Sequence, residues 1–96
     1  MDDDDFESIR RGVEFLDLTQ VQISSSAIAV VSAEIAHEHQ ILPVWYQEGI
    51  LTLAIGEVDL DLMHHLMFLL PVEAIEFRLG RSELIGVLIR RHYRDS

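Results

Sequence analysis

The chain has no cysteine and no lysine, and among its 96 residues there are only two prolines and one tryptophan. Without cysteine no disulfide can staple the fold, so stability must come from packing; the lack also agrees with a reducing compartment. Without lysine there is no GxxxxGK[ST] loop, so the usual means of holding a nucleoside triphosphate for hydrolysis is missing. No apolar run approaches the roughly 20 residues that cross a bilayer, and the acidic start MDDDDFE is the opposite of a basic signal peptide. Together these absences predict a cytoplasmic protein that is not an enzyme.

What is there is apolar and acidic. Hydrophobic residues make up 49% of the chain, and the mean hydropathy is +0.20, rich for so short a soluble protein. A chain of this size hides roughly 65% of its extended surface on folding, enough for one core, with apolar surface left over for a partner. The net charge is -10. Five of those negatives (Asp2, Asp3, Asp4, Asp5 and Glu7) crowd the first seven residues, and removing them still leaves -5. Phosphate backbones and anionic lipid would be repelled at long range, so nucleic acid and membrane insertion are not expected.

Residues 1–11 read as a flexible acidic lead-in and 12–96 as one domain. Val13 to Leu18 alternates like a short strand. Ser24, Ser25 and Ser26 offer a cap for a first helix whose stripe is Ile28, Val31 and Ile35, and which must stop before Pro43. Leu42, Val44 and Tyr46 then face one side of a strand, and Leu51, Leu53 and Ile55 one side of its partner across Glu48-Gly49, the hairpin ending at Gly56. Trp45 and Ile50 fall on the other face, exposed if no helix covers it. Asp59 or Asp61 can cap a second helix to about Leu69. Its apolar residues span half the circumference, wider than one sheet contact requires, while Asp61, His64 and His65 make the wet side. Pro71 forces the exit into a strand over Val72 to Phe77. Ser82 is a plausible cap for a last helix with Leu84, Ile85, Leu88, Ile89 and Tyr93 on its apolar face, and Gly86 within it suggests close helix packing. The pattern predicts an α+β fold of order βαββαβα, three helices on a short, mostly antiparallel sheet.

Catalytic and metal constellations are not legible. His37 and His39 flank Glu38, and His64 adjoins His65, but neighbouring or alternate helix positions diverge and do not chelate. No cofactor is implied. The serines cluster where caps are expected, and the carboxylates are scattered. Met63 and Met67 read as core filling, though methionine also suits adaptable partner surfaces. Arg90, Arg91 and Arg94 crowd the end of the last helix, where the dipole favours cations and where an acidic partner would also dock.

The ordered segments GVEFLDL, IAVVSAEIAHEHQILPV, GILTLAIG and LDLMHHLMFLLPVEAIEFRLGRSELIGVLIRRHY resemble the N-terminal domain of type II secretion and type IV pilus assembly ATPases, the GspE N-terminal or MshEN-like domain. The resemblance covers roughly Gly12 to Tyr93. It rests on Gly12, Val13, Phe15, Asp17 and Leu18; on Ala36, His39 and Ile41 to Val44; on Leu53 and Ala54; on Leu66, Phe68 and Leu69; and on Arg91 and Tyr93. Glu57-Val58 replaces the family's Asp-Pro, and Pro71 its turn glycine. The motor is absent from these residues, which fits either a piece excised from a larger ATPase or a stand-alone relative, the leading methionine favouring the latter. The resemblance implies a non-catalytic docking or regulatory module that binds a platform component or the motor ATPase. Trp45, Ile50, Met67, Arg90, Arg91 and Arg94 are the candidate partner-binding residues. Some family members bind cyclic di-GMP through an RLGxxL segment. Arg78, Leu79 and Gly80 reproduce its first three letters, with Leu84 and Gly86 one step out of register, which makes a sensory nucleotide-binding domain the alternative.

Overall fold

The alternation of Leu51, Leu53 and Ile55 is realised in β2 (Ile50–Ile55), the middle strand of a three-stranded sheet. The computed structural model describes residues 13–93, so the acidic lead-in, Gly12 and Arg94 lie outside the described residues. Two short helices, α1 (Ser25–Val30) and α2 (Ala33–His39), precede β1 (Leu42–Gln47). After β2 come α3 (Leu60–Leu69), β3 (Ala74–Leu79) and α4 (Ser82–His92). Strand order is β1-β2-β3. β1 is antiparallel to β2 across a two-residue turn, and β3 returns parallel to β2 after the α3 crossover. Glu48 (φ 53) and Gly49 (φ 83) both take positive φ, the geometry tight hairpins favour. The class is α+β as expected, here a mixed sheet carrying four helices among the described residues.

Local competition for backbone bonds explains where elements differ from the sequence pattern. Over Val13 to Leu18 only Phe15 pairs, by a parallel bridge to Leu79. The Asp17 carboxylate accepts from the Thr19 hydroxyl (2.6 Å) and N–H (3.0 Å), so a turn forms where a strand would continue. Those two bonds hold the Asp17 carboxyl below its ordinary range. The expected first helix is two helices. Val31 is extended, and the Ser32 hydroxyl accepts from Ile35 N–H at 3.2 Å, making a fresh N-cap for α2.

In β1 the register shifts between Pro43 and Trp45. This bulge at Val44 lets Leu42, Pro43 and Val44 all be buried instead of alternating. Asp59 caps α3 as expected, accepting from Leu62 N–H, but Ser82 is the first residue of α4 rather than its cap, and its hydroxyl sits over Gly56. The third strand starts at Ala74, two residues later than expected. Gly86 is not required by close packing, since a Cβ there would meet nothing nearer than 3.6 Å.

The core gathers Ala27 from α1, Ala36 from α2, Leu66 from α3, and Ile85 and Ile89 from α4 around Leu42, Val44, Leu51 and Leu53. Gly80 is also structural: a Cβ would come 2.7 Å from the buried Leu18 side chain. The break between α1 and α2 is held from the far end of the chain. The Tyr93 hydroxyl lies 2.8 Å from the Val31 carbonyl and 3.2 Å from that of Ile28, and shares its proton between two groups the broken helix leaves without helical partners.

Burial pushes the Tyr93 phenol up from 10.0 to about 12. Between those values the unfolded chain gives up the phenolic proton while the native state keeps it. The stabilisation is therefore complete below pH 10.0 and is lost as pH rises through about 12. Tyr93→Phe is expected to lower stability at neutral pH by about 1–2 kcal/mol in urea unfolding. The variant should also lose less stability than the wild type between those two pH values.

Candidate protein-interaction surface

The open part of the sheet is the hairpin end. In register, Trp45 lies opposite Thr52 and Thr52 beside Glu76; Gln47 lies opposite Ile50 and Ile50 beside Ala74. Trp45 and Ile50 are 43% and 40% exposed, and together with Gln47, Glu48, Thr52 and Glu76 they line one shallow depression. The indole is oriented by its Nε1–H, which donates to the Gln22 carbonyl at 3.2 Å. This places an aromatic and an aliphatic group on a rigid strand pair, with carboxylates at the rim.

A second apolar feature ends α3. Met63 and Leu66 face the core, as does Leu70 just past the helix, and residue 68 sits two positions from Leu66, about 200° round the helix. Phe68 is accordingly 92% exposed, with Met67 and Leu69 beside it also exposed. Met67 therefore does not fill the core, although its spacing suggests that it would, but stands with the candidate partner residues, and beside it is Phe68, which the sequence marks only as part of the family motif. The signal was present: an aromatic opposite a Met63, Leu66, Leu70 stripe has nowhere in its own domain to go. Met63, by contrast, fills the core.

The candidate partner residues thus fall in separate places. Trp45 and Ile50 share the sheet face, Met67 is on α3, and Arg90 and Arg91 are exposed at the end of α4. Arg78, Leu79 and Gly80 form the end of β3 and the residue after it. The Arg78 guanidinium donates to the Phe77 carbonyl at 2.9 Å and to Glu76 Oε2 at 3.3 Å, and Gly80 lies beneath Leu18.

The histidines do not converge on a site. His64 and His65 are exposed, and His39 packs edge-on to His65 with ring centroids 5.5 Å apart. His39 Nε2 is 3.1 Å from Glu38 Oε2 but out of line, so the buried nitrogen has no hydrogen-bond partner among the described residues. Also among the described residues, no group of three or more potential ligands is placed to hold a metal ion. No helix there is long and apolar enough to cross a membrane.

The family model described as the MshEN domain matches residues 11–96. The chain belongs to that family. A search of curated proteins gave no match.

The opposite environments of Phe68 and Leu66 on one helix predict opposite costs. Phe68→Ser should change unfolding free energy by no more than about 0.5 kcal/mol, as for an exposed site. Leu66→Ala should cost about 2–5 kcal/mol. Urea denaturation of the two variants checks both.

Proposed function

We propose that this MshEN domain is a non-catalytic docking and regulatory module. Its partner is a cytoplasmic component of a type II secretion or type IV pilus platform, or the motor ATPase that serves it. The observation that carries the reading is Phe68, an aromatic side chain left 92% exposed at the end of a well-formed helix between two further exposed apolar residues. Burying such a ring is worth about 1.5–3 kcal/mol, and aromatic anchors of this kind dominate the energetics of protein interfaces. Trp45 and Ile50 supply a second apolar contact on a rigid strand pair.

The missing phosphate loop and the absence of lysine support a role without nucleotide hydrolysis. The cyclic di-GMP alternative rests on Arg78, Leu79 and Gly80. Their engagement within the fold gives it no support of its own.

The test is direct binding of the purified domain to cytoplasmic platform domains and motor ATPases by biolayer interferometry. One of these is expected to bind, and Phe68→Ser is expected to weaken it at least about tenfold without loss of fold. Absence of binding at roughly 100 μM, or binding indifferent to both Phe68→Ser and Trp45→Ala, overturns the proposal.

A further inference from the structure

The outer side of α4 carries a groove that neither the sheet face nor the α3 ridge shares. One wall is the irregular segment holding Leu18, Val21 and Ile23, and the other is Leu84, Val87 and Leu88, around a space of about 550 Å³. Val87, 39% exposed, shows that the groove is not filled from within. Arg91 and His92 stand at its end.

The charge around this groove is unusual for the molecule. The full chain carries 17 acidic residues, yet among the described residues none that lines the groove is acidic; the nearby Asp17 carboxylate is taken up by the Thr19 hydroxyl and N–H. All four arginines among the described residues lie between Arg78 and Arg91. Two of them are paired within the fold, Arg78 with Glu76 and Arg81 with Glu83. Arg90 and Arg91 make no ion pair among the described residues, and the C-terminal end of the helix dipole stabilises them there without one.

From this geometry we infer that the groove binds an acidic, amphipathic segment of a protein partner. An aliphatic or aromatic anchor seats between Val21 and Val87, and a carboxylate about one helical turn away pairs with Arg91. The inference rests on the docking reading and adds a second contact of defined chemistry. Complementarity favours that occupant: a basic segment would meet Arg91 and His92, and a purely polar one would leave the apolar walls wet.

The test uses three synthetic twelve-residue peptides and the full chain. The first places Leu and Phe at helical spacing among Glu, the second replaces each Glu by Lys, and the third replaces Leu and Phe by Ser. Fluorescence anisotropy reads affinity, and amide chemical shifts read location. Only the first peptide is expected to bind, shifting residues 18–23 and the second half of α4. Its affinity should fall about tenfold with Arg91→Glu, fall with added salt, and fall again with Val87→Asp. Phe68→Ser should leave it unchanged, so this result is independent of whether any platform protein binds. The inference is overturned if the acidic peptide does not bind, if the lysine or serine peptide binds equally well, or if Arg91→Glu has no effect. It is also overturned if the groove shifts with protein concentration alone, which would make the occupant a second copy of this chain.

Discussion

Everything in this domain is arranged around the burial of β2. From Leu51 to Ile55 no side chain of that strand is more than 8% exposed, on either face. A chain this short has helices enough to cover one face of a sheet thickly. The other face is kept thin: the residues of β2 that point there are Ile50, Thr52 and Ala54, and the last two are small. Flanking side chains from β1 and β3 suffice to shield them. Ile50, at the open end and beside the turn, is where that shielding stops.

The first and last described segments both pack back onto the elements around that strand. Phe15 bridges to Leu79 at the outer edge of β3, and Leu18 fills the space over Gly80. At the other end Tyr93 reaches back across more than sixty residues to the carbonyls of α1 and the break behind it. Neither α1 nor α2 is long enough to be stable alone. Each is held by its core contact, Ala27 in one and Ala36 in the other, by the Ser32 cap of α2, and by the tyrosine hydroxyl at the break between them.

What the sequence made legible was the order of elements and the faces with strong periodicity. The hairpin, the Asp59 cap, the α3 and α4 apolar faces and the exposure of Trp45 and Ile50 all follow from side-chain spacing. What it hid were events decided by single side-chain bonds or by distant contacts. Asp17 turns the chain through Thr19, Ser32 restarts a helix that periodicity alone would continue, and a bulge at Val44 buries three consecutive residues. The groove beside α4 was illegible for another reason. Its two walls lie more than sixty residues apart in sequence, and the irregular wall has no repeating pattern to read.

The family match identifies the kind of module, and the structure divides its surface by chemistry. The sheet face sets apolar groups beside Glu48 and Glu76, whereas the α4 groove sets them beside Arg91 and His92. A partner that engaged both would need opposite charge patterns on its two contacting parts, and exchanging those parts would place like charges together. Apolar area alone would bind in either arrangement. The arginines among the described residues all lie in the last quarter of an otherwise acidic fold, and that segregation is what would give the proposed docking a direction. Such a polarity is of use to a domain only if its orientation on the partner matters.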